Sequence, residues 1–355
     1  MRIRTALAAL LAFALFWWFV RDTNVGEIWA AVRQANVTLL VLALVFVVLT
    51  YVARAVRWQY LLAPVGPTRF RTAFRTTVIG FAALSLLPAR VGDLLRPYLL
   101  AQRERLSPTA TFATVVMERV FDLMTVLVLL AIYAWGTADI ASMPPGAAGA
   151  MTVVRSSAAL LGAVTALLMA VMWVLATHPE RIGAFVLTAT RFLPRTLAER
   201  LAGVASGFSG GFAASRSPRA LALATVWSFP VWLATAAEAW VVTRAIGLEL
   251  PPDGSFLLQA LLVIGVAVPT PGGVGSYHAA YRYGMVTFFG APEHLAVAAA
   301  IVLHAISFFP VVLVGVLFMA QDGLSVGGLR RLASEAKDKE LTHRDEMPIL
   351  RTSRR

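Results

Sequence analysis

The stretch LLPARVGDLLRPYLL, residues 86–100, decides how the whole chain is read. An apolar run over 78–87 leads into it and a second apolar cluster follows, with Pro88, Arg90, Gly92, Asp93 and Arg96 between them. In a soluble protein this would be an ordinary polar turn. Its surroundings forbid that reading. The chain has 355 residues, 59% hydrophobic and 14% charged, with a mean hydropathy of +0.74. A bilayer core is spanned by about 20 apolar residues, and several stretches reach that length. No polar segment is long enough to fold alone. The sequence therefore predicts an all-α polytopic membrane protein, and the turn at 88–93 lies close to lipid.

Composition also removes several chemistries. With no cysteine there is no disulfide and no thiolate site. The five histidines (His178, His278, His294, His304 and His343) show no metal-ligand spacing. No G-x-x-x-x-G-K-[ST] phosphate loop occurs. No cofactor or metal is expected. The net charge of +12 fits basic loops facing anionic lipid, rather than a nucleic-acid partner.

Full spans are expected at 5–20, 37–62, 109–135, 151–177, 219–246 and 292–321. The first is read as an uncleaved span, since no small-residue cleavage site precedes Arg21 and Trp17, Trp18 and Phe19 form an interfacial anchor. Two apolar stretches, 78–87 and 256–268, are too short to cross. Each ends in a Pro/Gly-rich turn and is followed by a short helix, at 94–101 and 277–289. Read as two re-entrant hairpins, they put both termini in the cytoplasm. Of the 31 basic residues, 23 then fall on the cytoplasmic side, Arg54 and Arg57 among them, against 4 outside, as the positive-inside rule requires. Within a transmembrane domain of residues 1–322, segment 179–217 reads as amphipathic interfacial helices. Residues 323–355 read as a disordered basic cytoplasmic tail.

The two turns resemble each other. Pro88-Ala-Arg-Val91-Gly92-Asp93 and Pro271-Gly272-Gly273-Val274-Gly275-Ser276 share Pro, Val and Gly at a constant offset of 183 residues. Short, Pro/Gly-interrupted segments at corresponding positions of two inverted halves point to a binding site near the midplane. Irregular backbone at that depth must be buried in protein or line a wet cavity. Gly admits positive φ and Pro removes a donor. Helix N-termini at such a turn attract anions. Arg90 and Arg96 add phosphate-matching donors, and Asp93 is placed to hold one of them. The same residues also fit a solvated cytoplasmic loop.

Span 109–135 carries Glu118, Arg119 and Asp122. Glu118 and Asp122 share a helix face and suit ion pairs with Arg90 and Arg96. Such charge within a membrane is costly, and it serves either function or the anchoring of a hairpin. Glu238 stands mid-span with no basic neighbour in sequence, so it needs a spatial partner or a proton. His278 and Arg282 follow the second turn on one helix face, and His304 lies in the last span.

At these residues the chain resembles the transmembrane region of lysylphosphatidylglycerol synthase/flippase proteins, the flippase-like domain family. The resemblance rests on Arg90-x-Gly92-Asp93-x-x-Arg96-Pro97, on Glu118-Arg119-x-x-Asp122 and on Pro269-x-Pro271-Gly272-Gly273-x-Gly275, and covers about residues 5–321. Asp93 stands where the family often has Glu, and His278 stands near the place of another Glu. The resemblance implies movement of an anionic or aminoacylated lipid between leaflets. The headgroup would be neutralised by Arg90, Arg96 and Arg282, with Glu118, Asp122 and Glu238 holding the arginines or a cationic headgroup. The 34 residues after Gln321 are too few for the soluble aminoacyl-transferase domain some members carry, so a headgroup-modifying enzyme is not expected here. Membrane lipids are the expected partners. The other reading is a non-transporting partner of a separate lipid-modifying or envelope-synthesis enzyme.

Overall fold

A computed structural model describes residues 24–87, 91–178, 188–189, 211–212, 217–268 and 270–323. Among these residues the fold is all-helical, with ten α-helices and no strand. They are α1 (Val25–Arg33), α2 (Val37–Leu62), α3 (Phe70–Leu86), α4 (Val91–Glu104), α5 (Pro108–Ala131), α6 (Ala147–Thr177), α7 (Pro218–Ala245), α8 (Gly254–Ala267), α9 (Ser276–Phe289) and α10 (Glu293–Gln321). The expected span at 5–20, the turn residues Pro88 and Arg90, most of the segment 179–217, and the tail beyond 323 lie outside the described residues.

Local chemistry sets the helix starts. Asn36 caps α2 by accepting from the Leu39 amide at 3.2 Å. Ser107 and Ser217 cap α5 and α7 in the same way, each followed by Pro at the first helical position. Proline suits that position because its missing N–H would have had no helical partner. Among the described residues, four helices are long and apolar enough to cross a membrane: Val37–Leu62, Ala147–Leu175, Pro218–Ala245 and Glu293–Gln321. Their outward faces are apolar, with Val41, Val48, Leu160, Leu167, Leu313 and Leu317 all exposed. Charged Arg57, Arg96 and Glu118 are buried instead. That inside-out distribution suits lipid as the solvent.

Eight of the ten described helices, all but α1 and α6, form two four-helix units. Adding 183 to the bounds of α2, α3, α4 and α5 lands on α7, α8, α9 and α10 within two residues at every end but one, α10 running seven residues further. The matched helices α2 and α7 form the most extensive pair in the fold, and they run antiparallel. Asn36 N donates to Ala245 O at 2.8 Å, the Thr50 and Thr235 hydroxyls meet at 3.4 Å, and Arg57 Nη1 donates to Ser228 Oγ at 3.1 Å. The two units are therefore turned over relative to each other.

Each unit contains a helical hairpin. In the first, α3 and α4 run antiparallel and touch through glycine. A Cβ on Gly92 would meet the Gly80 carbonyl oxygen at 2.0 Å and the Leu84 nitrogen at 2.6 Å, and a Cβ on Gly80 would meet the Arg96 Cβ at 2.7 Å. In the second, α8 and α9 close through Gly265 and Gly284. The connecting turn, Pro271–Gly273, holds Gly272 at φ 62° and Gly273 at 71°, and Gly275 follows at 88°. These left-handed values explain the glycines there. The second turn packs on α3, and a Cβ on Gly272 would stand 3.6 Å from the Ser85 carbonyl oxygen.

The first hairpin begins earlier than the apolar run at 78–87 suggests. Its helix starts at Phe70 and includes Thr72, Arg75, Thr76 and Thr77. Thr76 satisfies its hydroxyl on the Thr72 carbonyl at 2.8 Å, so a polar sequence is carried inside a helix. Because the obstacle at Gly92 is backbone, Gly92→Ala is expected to destabilise the protein by about 3 kcal/mol, the upper end for overpacking. Thermal unfolding in detergent measures this, and a cost near zero would mean the hairpin packs otherwise.

Candidate functional site

Of the charged residues singled out in sequence, Asp93, Arg96, Glu118, Arg119 and Asp122 assemble with Arg54 and Arg57 between α2, α4, α5 and α7. Arg57 lies fully buried at the centre. Its Nη1 donates to Asp122 Oδ1 at 2.6 Å, and its Nη2 lies 3.2 Å from Glu118 Oε1. Arg96 donates to the same Glu118 oxygen at 2.8 Å, and its guanidinium stacks 3.8 Å above the Trp58 ring. Arg119 bridges Asp93 at 2.7 Å and Asp122 at 3.4 Å. Trp232 on α7 donates its indole N–H to Asp122 Oδ1 at 2.9 Å. Arg54 stands 3.8 Å from Asp122 Oδ2, with its cation over the rings of Phe81 and Trp232. Among the described residues this cluster has four guanidiniums against three carboxylates, leaving one positive charge in excess.

The helix spacing explains the assembly. Glu118 and Asp122 are one turn apart on α5, and Arg54 and Arg57 are one turn apart on α2, so each pair presents one face. Arg57 needs both carboxylates because several of its donors are out of reach of water. Its Nε and the Nε and Nη2 of Arg96 still lack hydrogen-bond partners.

A cavity of about 370 Å³ lies between the units. Its walls are mostly apolar and come from α2, α3, α5, α7, α8, α9, α10 and the second turn. Arg54, Arg119 and Asp122 border it on one side, and Glu238, Ser307, Gly272 and Gly273 on another. The register of α2 on α7 puts Glu238 level with Val47, seven residues from Arg54, or roughly 10 Å along the helix axis. Glu238 is buried and accepts from the Ser307 hydroxyl at 2.5 Å. Nearby, His304 Nε2 lies 2.8 Å from the Gly272 carbonyl oxygen, and the ring stacks on Phe308 and lies 4.6 Å from that of His278. His278 Nδ1 accepts from the Gly275 amide at 3.3 Å and so ties the turn to α9.

Several expectations change. Arg54 and Arg57, counted as cytoplasmic loop charges, are buried 8 and 5 residues before the end of α2. Carboxylates on α5 hold them there, and nothing on α2 itself announces those partners. The spacing Arg54-x-x-Arg57 inside a continuous apolar helix was the available signal. Arg96 and Glu118 belong to the cluster but do not line the cavity. Arg282 is absent from both and pairs with Glu293 at 2.9 Å. It lies on α9 beside the start of α10 and does not line the cavity. Asp93 holds Arg119, while Arg90 lies outside the described residues. Glu238, His278 and the glycines of the second turn gather at the other side of the cavity, as a polar counterpart to the charged cluster.

Buried charge, lipid-facing helices and two antiparallel units around a cavity define a multi-pass membrane protein. A family model described as the lysylphosphatidylglycerol synthase TM region matches residues 5–315, and the chain belongs to that family. It is 27% identical, over 94% of its length, to the glycosyltransferase AglD of Haloferax volcanii. The matched region is 56% of that relative, so the chain spans little more than half of it. It is also 25% identical, over 88% of its length, to a UPF0104 membrane protein of Methanothermobacter thermautotrophicus, with 91% of that protein covered.

Removing one partner of a buried ion pair leaves the other uncompensated, at about 3–5 kcal/mol. Arg57→Ala is therefore expected to lower stability by that amount in chemical unfolding. Arg282→Ala, which breaks a partly exposed pair, should cost less than about 1 kcal/mol. Equal costs for the two would remove Arg57 from its central place.

Proposed function

We propose that the chain is a lipid translocase of the cell membrane, with both termini in the cytoplasm. In this reading α3–α4 and α8–α9 are re-entrant hairpins entering from opposite faces, and α5 completes the spans. The observation that carries it is the cavity between two antiparallel units, apolar over most of its wall and bordered by a buried cluster with one positive charge in excess among the described residues. An acyl or prenyl chain stays in lipid, or lies along the apolar wall, while an anionic headgroup passes between the hairpin tips. Rocking of one unit against the other supplies access from each side in turn. Membership of a lysylphosphatidylglycerol synthase TM family supports a lipid-related role.

A second reading is a non-transporting membrane partner of a separate lipid-modifying or envelope-synthesis enzyme. The match to little more than half of a protein named a glycosyltransferase favours it.

Leaflet exchange separates the two. Purified protein in liposomes with fluorescent anionic and zwitterionic lipids is expected to exchange the anionic lipid faster than protein-free vesicles. Val266 lines the cavity on α8, and Val266→Trp should slow that exchange at least about tenfold by filling the path. No exchange of any lipid by a folded sample would overturn the translocase and leave the partner reading standing.

A further inference from the structure

Glu238 makes no ion pair among the described residues, although it lies within the apolar span α7. It is 3% exposed, lines the cavity, and accepts from the Ser307 hydroxyl at 2.5 Å. The charged or titratable groups that face it are Tyr51 and Arg54 from α2, Arg119 and Asp122 from α5, Tyr277 from α9 and His304, one turn from Ser307 on α10. The part of α8 that lines the cavity contributes none. Arg54 and Arg119 are already matched to Asp122, and Arg119 to Asp93 as well. The tyrosines are phenols, neutral at ordinary pH. The histidines are committed to the second turn. The Gly272 carbonyl only accepts, so His304 Nε2 carries a proton, and the Gly275 amide only donates, so His278 Nδ1 carries none. With ring centroids 4.6 Å apart, charge on one histidine opposes charge on the other. A carboxyl in such a place exists either as the neutral acid or against a charge brought from outside. Ser307 serves both forms, because a hydroxyl donates to a carboxylate or accepts from a carboxyl by rotating.

Charge balance links the proton to the cargo. The cluster on the other side of the cavity has four guanidiniums and three carboxylates among the described residues, Glu238 not included. With Glu238 ionised and no headgroup bound, the sum over cluster and Glu238 is zero. A singly anionic headgroup makes it negative, and a proton on Glu238 restores zero. A cavity with apolar walls disfavours net charge. Anion and proton therefore enter together and leave together.

We propose that the chain is a proton–anion symporter for its lipid, with Glu238 as the proton site. As the headgroup enters, a proton from the same aqueous side adds to a carboxylate oxygen of Glu238. As the headgroup leaves, that O–H bond breaks and the proton passes to water on the far side. The symport rests on the translocase reading for the movement of lipid; the linkage between proton and anion binding does not.

The first measurement needs no transport. The full chain in neutral detergent is titrated with phosphatidylglycerol from about pH 6 to about pH 9. Ionising Glu238 opposes the anion, so affinity is expected to fall as pH rises, approaching about tenfold per pH unit, the slope for one proton taken up per lipid. Glu238→Gln keeps the shape and an acceptor for Ser307, and it should flatten that dependence. The second measurement uses phosphatidylcholine vesicles carrying fluorescent phosphatidylglycerol, with a pH step of about one unit across the bilayer. Relative to protein-free vesicles, the wild type should enrich the lipid about tenfold in the leaflet on the alkaline side. Glu238→Gln should leave the leaflets even. An affinity independent of pH in the wild type, or an equal slope in folded Glu238→Gln, would overturn the proposal. Exchange that reaches an even distribution despite the pH step would overturn the symport and leave the translocase standing. Proton-linked binding without exchange would defeat the translocase, and the symport with it, while keeping Glu238 as the proton site.

Discussion

Arg57 is the residue on which the first unit depends. A guanidinium cannot be deprotonated at any ordinary pH and cannot be left alone in a low-dielectric interior. Buried in α2, it therefore needs Glu118 and Asp122, both on α5. Glu118 in turn fixes Arg96, which places α4 against α5. Asp122 also accepts from Trp232, which ties α7 to the same point. Four helices are thus oriented by one charged group and its partners. The apolar contacts around them do not have that directional power, because lipid is as apolar as a leucine side chain.

The second unit repeats the helices without repeating the charges. Glu238, Ser307, His304 and His278 stand where the antiparallel arrangement brings the counterpart of the arginine cluster. Their contacts include hydrogen bonds and ring stacking. The cavity consequently has unlike walls: a cationic border from one unit and a neutral polar border with one carboxyl from the other. The units approach closely elsewhere too. Gly315 on α10 packs against Val78 and Ala82 on α3, and Asp322 just past α10 bridges Arg75 on α3 and Arg103 on α4 at 3.0 and 2.5 Å.

Much of this is legible in the residues. The apolar run from Val37 and the cap at Asn36 give the bounds of α2. The Pro-x-x-Val-Gly recurrence at an offset of 183 marks both turns, and the same offset relates four helices of each unit. Asp93, Arg96, Glu118, Arg119 and Asp122 are brought together as their spacing suggests. What stays hidden depends on neighbours far along the chain. Arg54 and Arg57 look like charges at a membrane surface until α5 is packed beside them. Arg282 looks like a headgroup ligand until Glu293 is found at 2.9 Å. The start of α3 is obscured because its threonines bond back to their own helix.

The burial of Arg57 also bears on biosynthesis. A chain made from its N-terminus delivers Arg57 61 residues before Glu118. During that interval α2 has a cation whose partners do not yet exist, and its deep position in lipid is unfavourable. Long arginine side chains meet such a situation by reaching toward the aqueous boundary. The final depth of α2 is then set only after α5 has been synthesised, so the first unit inserts as a group of helices rather than one helix at a time.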